Sequence, residues 1–440
     1  MKIQEVVEKF HSEITKLETI KSEFCIHPEK DFTRDRKIPF SSVIRTILSF
    51  GGGTLTNELL KINKFAPDSP TSSAFVQQRD KISSEAFSTL FSMINQVFDQ
   101  NTRYKGYRLM AVDGSHIHVP TNPKDTDAFV KCKESERPHN EFHLNAMFDI
   151  LQKVYTDAVV QKYRTQNEDK AMIEMIERAS YQNAIAICDR GYESYNNMAH
   201  LQTSGWKYII RIKEPGGCGI ADGLQLPECE EFDFLLKLSI TRRKNRETKE
   251  RLKNRNQYRY IPNKVAFDYL SRDFKRSDPA EFFTLNFRVV RIAISENSYE
   301  MLVTNLSEEE FPKEELKKLY AMRWGIETSF RNLKYIVGML GFHSRKSESV
   351  TQEIYASLIM HNMTQFVSNC VHLPEKEMKY DYTIRFSIAV NIVKSLVLGD
   401  ISPPNAEILI RRNVTPVRPN RSYSRKPRAK AQIQFTYRIA

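Results

Sequence analysis

The 440-residue chain contains no Cys-x2-Cys pair, no G-x4-G-K-[ST] pattern and no uninterrupted apolar run approaching the ~18 residues that cross a bilayer. Its six cysteines (Cys25, Cys132, Cys188, Cys218, Cys229 and Cys370) are scattered. That spacing argues against a zinc ribbon or a disulfide framework and leaves reduced thiols as the expected state. Cys218 and Cys229, which bracket GIADGLQLPE, read as unrelated loop thiols. The opening MKIQEVVEKFHSEITKLETIK lacks the apolar core of a signal peptide, so an intracellular protein is expected. Without a phosphate-cradling loop, no nucleotide cofactor is expected either. Tryptophan is scarce, represented only by Trp206 and Trp324. Acid is in deficit: 54 Asp and Glu stand against 66 Lys and Arg, a net charge of +12. That balance favours a polyanionic partner, nucleic acid before membrane. What remains is an ordinary globular composition, 40% hydrophobic and 11% aromatic, in a chain long enough for several cores.

Residues 1–105 read as helical. FSSVIRTILSF and TLTNELLKI flank a GGG break, a hairpin compatible with a helix-turn-helix, with DNA contact left open. Ser72 or Ser73 is expected to cap a further helix through SAFVQQRDKISSEAFSTLFSMINQVF. From 106 to 214 the period changes. YRLMAVDGSHIHVP, FHLNAMFDI and KVYTDAVVQKY have strand length, and helix and strand then alternate through EDKAMIEMIERAS, AIAICDRGY, SYNNMAHLQTSG and WKYIIRIKE. A mixed α/β sheet with flanking helices follows. Residues 215–298 resemble a β-rich insertion, with strands FDFLLKLSI, QYRYI and FFTLNFRVVRIAI around a charged run. The core is expected to resume over 299–345 with YEMLVTNL and a helix beginning near Pro312. Residues 346–440 form a helical region and a basic tail.

Two acids end apolar strands: Asp113 after LMAV and Asp189 after AIAIC. The C-terminal edge of a sheet is where side chains leave the core and chemistry often sits. Either acid alone also fits a polar residue where a strand stops. YAMRWGIETSFRNLK, residues 320–334, adds a third acid. At about 100° per residue from Tyr320, Arg323 falls near 300°, Lys334 near 320°, Glu327 near 340° and Arg331 near 20°. Leu319, Met322, Ile326, Phe330 and Leu333 form the adjoining apolar stripe. A solvated face with Arg323 and Glu327 as an i,i+4 pair is the plain account. One carboxylate among several cations also suits a metal ligand beside phosphate-gripping side chains.

Tyr320-x2-Arg323-x3-Glu327-x6-Lys334 resembles the Y-R-E-K signature of transposases of the insertion-sequence 4 family, which are DDE enzymes with an RNase H-like core. VDGS at Asp113 and CDRGY at Asp189 resemble the family's first and second aspartate regions. The resemblance runs from about residue 106 to 345, with the elements in order. It implies that Asp113, Asp189 and Glu327 hold two Mg²⁺ ions, for which Mn²⁺ can substitute. It also implies that Tyr320, Arg323 and Lys334, with Arg331 and Arg190, contact DNA. The implied activity is cut-and-paste transposition by a dimeric assembly on transposon ends and target DNA, in a prokaryotic cytoplasm on the nucleoid. A nuclease that cuts without joining, or a DNA-binding derivative without catalysis, are the other readings. Relatives that cut through a hairpin use a tryptophan of the insertion. Neither Trp206 nor Trp324 lies there, and Tyr258, Tyr260, Phe282, Phe283 or Phe287 are the aromatic substitutes.

His116 and His118 point to the same side of a strand, but without a third ligand of convincing spacing they read as strand-end polar residues. His143 reads as an ordinary sheet histidine. RRKNRETKERLKNR, with eight basic residues and two acids, reads as a backbone-gripping arm or a solvated loop. The tail from Arg411, with nine basic residues and no acid, is expected to reach DNA without base specificity.

Overall fold

The computed structural model describes all residues except 35, 132–137, 276–277, 297, 374–380 and 418–440. The basic tail past Val417 and Cys132 therefore lie outside the described residues. Five N-terminal helices, α1 (Ile3–Thr19), α2 (Phe40–Ser49), α3 (Leu55–Ile62), α4 (Ser72–Arg79) and α5 (Glu85–Phe98), precede the sheet. The long helix expected through residues 74–98 is broken between α4 and α5. Thr71, and neither of the two serines, caps α4, accepting from the Ala74 amide at 3.2 Å. Four strands follow: β1 (Arg108–Val119), β2 (Phe129–Val130), β3 (His139–Asp149) and β4 (Val154–Lys162). Then come α6 (Glu168–Glu177), β5 (Ala184–Cys188), α7 (Tyr195–Thr203) and β6 (Lys207–Ile212).

The sheet runs β4-β3-β1-β5-β6, with β3 antiparallel to both neighbours and β1, β5 and β6 parallel. This mixed α/β arrangement is the RNase H-like order that the resemblance implies. β5 is covered on both faces, which explains why AIAIC is an unbroken apolar run and does not alternate.

The segment after β6 continues the same sheet. β7 (Phe232–Thr241), a short helix α8 (Arg246–Arg251), β8 (Tyr258–Tyr260) and β9 (Phe283–Ser295) lead into β10 (Ser298–Thr304), which returns to pair with β6. Arg242 and Arg243, the first two cations of the charged run, turn inward. Arg242 donates to the carbonyls of Pro262, Val265, Phe267 and Leu270 at 2.9–3.2 Å and is structural. Lys244, Arg246, Lys249, Arg251, Lys253 and Arg255 stay exposed.

The chain closes with α9 (Lys313–Met322), α10 (Trp324–Asn332), a π-turn over Leu333–Val337, α11 (Ser347–Asn369), β11 (Tyr382–Ile384), α12 (Phe386–Val397), α13 (Pro403–Arg412) and β12 (Val414–Pro416). One apolar cluster joins the N-terminal helices, α9 to α12 and one face of the sheet; a second covers the other face. Arg79 on α4 and Glu353 on α11 form a buried ion pair at 2.9 Å within the first cluster. No described helix is long and apolar enough to cross a membrane.

Candidate active site

Parallel register brings the two aspartates together, although only Asp189 stands at a strand end; the expectation that β1 stops at Asp113 is overturned by its pairing with β3 as far as Val119. Val112 of β1 lies opposite Cys188 of β5, so Asp113 and Asp189 occupy equivalent next positions: Asp189 just past the end of β5, and Asp113 in mid-strand. Strand alternation places Asp113 on the face of Leu109, Ala111 and Ile117, the face shared with Ile326 and Phe330 of α10. Helix α10 packs against β1 and carries Glu327. Asp189 also caps the following turn, accepting from the Gly191 amide at 2.8 Å.

Arg323 lies between two of these acids. Its Nη1 is 3.5 Å from Asp113 Oδ2, and its Nη2 donates to Glu327 Oε1 at 2.6 Å. Burial, with the charges of Asp189 and Glu327, raises the Asp113 carboxyl against the opposing pull of the Arg323 guanidinium, to about 7 in all. Three neighbouring carboxyl groups, two of them already held by an arginine, mark a place suited to a cation. Their all-oxygen donor set fits a hard divalent ion such as Mg²⁺ or Mn²⁺.

The expected continuous helix over 320–334 is interrupted at Arg323, which closes α9 and opens α10 while staying in the right-handed helical region. The predicted apolar stripe holds: Leu319, Ile326 and Leu333 are fully buried, Phe330 is buried and Met322 partly so. Tyr320 is buried too, with the Arg323 guanidinium 5.7 Å from its ring centroid. Lys334 is half-buried at the π-turn; burial lowers its pKa, while the charge of Glu141 raises it. Arg331 and Arg190 are exposed, and Arg190 borders an open cleft with Arg211 and Lys213.

A sequence model of the transposase DDE domain matches residues 104–363, more than half of the chain. The chain belongs to the transposase DDE-domain family. Within this family, the transposase InsG for insertion sequence element IS4 of Escherichia coli (strain K12) is 21% identical over 306 residues. The alignment takes in 67% of this chain and 60% of that relative's length. A solved piggyBac transposase synaptic complex with hairpin DNA overlaps 91% of this DDE-family chain and 80% of its own, at a TM-score of 0.46 and 11% identity.

Within VDGS the glycine is held by its surroundings. A Cβ on Gly114 would collide with His143 Nε2 and stand 2.7 Å from Glu168 Oε1. His143 and Glu168 are themselves paired at 2.9 Å behind Asp113. His143 was read only as an ordinary sheet histidine, and Glu168 went unread in the sequence, as did Glu141, which gathers His116, His118 and His139. The two histidines of HIH, near the end of β1, thus meet a further titratable side chain across the sheet. Period-two spacing in both His116-x-His118 and His139-x-Glu141-x-His143 was the available signal. Among the candidate base-stacking aromatics, Phe287 is 1% exposed, whereas Tyr258, Tyr260, Phe282 and Phe283 are half-buried. Trp206 is buried, and Trp324 is 48% exposed beside Arg323.

Proposed function

We propose that this chain is a cut-and-paste DNA transposase in which Asp113, Asp189 and Glu327 hold two Mg²⁺ ions, replaceable by Mn²⁺. The observation carrying this reading is the union of a transposase DDE-domain match with three acids borne by the middle of β1, the residue after β5 and the helix packed on β1. Bound divalent ions would supply activation of the attacking oxygen and stabilisation of the leaving oxygen at a phosphodiester.

The chain's own residues do the rest. The carboxylates fix position and supply charge. Arg323, Lys334, Arg331 and Arg190 offer phosphate contacts around them. Tyr320 acts from beneath, bracing the Arg323 guanidinium that it packs against. Water attack opens the element's ends, and the freed 3′-hydroxyl then attacks target DNA. The N-terminal helices assist recognition of terminal repeats. Two protomers synapse two ends, on the nucleoid of a prokaryotic cytoplasm. The units 1–105, 106–214, 215–298, 299–345 and 346–440 divide this labour.

The test is cleavage and joining of a DNA fragment bearing the inverted repeats that flank the gene, with Mg²⁺ or Mn²⁺. Released ends and joined products, both absent in Glu327→Gln and Asp113→Asn chains that still bind the fragment, are the expected result. Release without joining would leave a nuclease. No cleavage with either ion would leave a DNA-binding protein.

A further inference from the structure

A second constellation of ligand-type side chains lies on the sheet face opposite Asp113. On β1 the even-numbered positions His116 and His118 point there, with Met110 and Val112. On β3 the odd-numbered positions His139, Glu141 and His143 do so, with Met147. Antiparallel register sets His118 directly across from Glu141, and His116 across from His143.

Three imidazoles surround the Glu141 carboxylate. His116 Nδ1 is 2.8 Å from Oε1; His118 Nε2 and His139 Nε2 are 3.2 and 3.7 Å from Oε2. The ligand atoms of His118, His139 and Glu141 all lie within 4.8 Å of one another. The His139 and Glu141 side chains are 6% and 10% exposed, while His118, at 39%, leaves one side open to solvent.

His118 and His139 converge on one and the same oxygen of Glu141, while His116 takes the other. Neutral imidazoles with one carboxylate satisfy a divalent cation. Two nitrogens and one oxygen with an open side form a donor set for Zn²⁺ or Co²⁺, softer than the all-oxygen set of the three acids. His116 then has a distinct part: its contact with the other Glu141 oxygen is the kind of outer hydrogen bond that orients a ligating carboxylate.

We propose that His118, His139 and Glu141 form a second metal site, selective for zinc-class cations and separate from the three-acid centre. The bound ion cross-links β1 to the start of β3 where this strand pair extends beyond Asp113, in the neighbourhood of Lys334.

The probe is Co²⁺ added to the full-length chain carrying Asp189→Asn, which impairs the three-acid centre. One equivalent should bind with a visible absorption band, and Zn²⁺ should displace it. His118→Ala or His139→Ala added to that chain should weaken Co²⁺ binding at least about tenfold, while His143→Ala leaves it within about twofold. Co²⁺ binding in the His118 and His139 variants as tight as in the Asp189→Asn chain overturns the site. X-ray absorption at the zinc edge, on the Asp189→Asn chain with its histidines intact, tests the idea without relying on those variants folding. Imidazole and oxygen ligands are expected; no retained zinc, or a shell without imidazole, overturns it.

Discussion

Arg323 donates to Glu327 across one helical turn at 2.6 Å, and the same guanidinium reaches Asp113 from its other nitrogen. The arginine thus occupies two of the three acids that the proposed chemistry requires for divalent ions. Metal loading and this contact compete, and a DNA phosphate is the natural alternative partner for the released guanidinium.

That competition predicts opposite effects of one substitution. In the absence of DNA, Arg323→Ala should bind Mn²⁺ severalfold more tightly, because the internal cation no longer opposes the ion. With DNA, the same chain should cleave more slowly and bind ends more weakly. A Mn²⁺ titration by magnetic resonance that shows unchanged affinity would refute the competition.

Phosphate contacts have a signature in salt. Lys334→Ala and Arg323→Ala should each weaken complex formation and reduce the slope of log affinity against log salt by about 1. Parallel lines for the variants and the unaltered chain, across a chloride series, would remove these side chains from the DNA surface.

The Arg79–Glu353 pair ties α4 to α11, with Arg79 also donating to Gln352 at 2.8 Å and to the Ser349 carbonyl at 2.6 Å. Removing one partner leaves a buried charge alone, so Arg79→Ala should destabilise the fold by about 3–5 kcal/mol. A double Arg79→Met, Glu353→Leu chain should recover much of that loss in denaturant titrations. Burial would raise the Glu353 carboxyl, but Arg79 and His343 outweigh it and hold it below its ordinary 4.5. Its stabilisation is therefore complete above about pH 4.5 and is lost as pH falls through the folded value. Stability that stays flat in acid for the native chain, relative to the double variant, would contradict this.

Gly114→Ala should cost about 1–3 kcal/mol, because the added methyl must displace His143 and Glu168 from behind Asp113. Thermal unfolding reads the loss directly. His143→Ala should relieve part of it in the double variant; strict additivity would show that the methyl meets no obstacle there.

Much of the site was legible because its signals are local. The helix stripe from Leu319 to Leu333 follows a period that needs no partner, and AIAICD announces a strand handing an acid to its edge; LMAVD announced the strand and its acid but not that pairing with β3 carries β1 on to Val119. The order of strand and helix segments was equally readable. The break at Arg323 was not, since a right-handed helical residue leaves no mark in hydrophobic spacing. Nor was the inward turn of Arg242, whose four carbonyl partners belong to a loop some twenty residues on.

By itself, the sequence determined the element types, the apolar faces and the candidate acids, because the periodicity of side chains along one backbone encodes them. Tertiary structure alone decided which distant groups share a space: Arg323 between Asp113 and Glu327, Arg79 against Glu353, and Glu141 among three imidazoles. Those encounters depend on strand register and helix packing between segments far apart in the chain, and a one-residue slip in β3 would turn Glu141 to the opposite face.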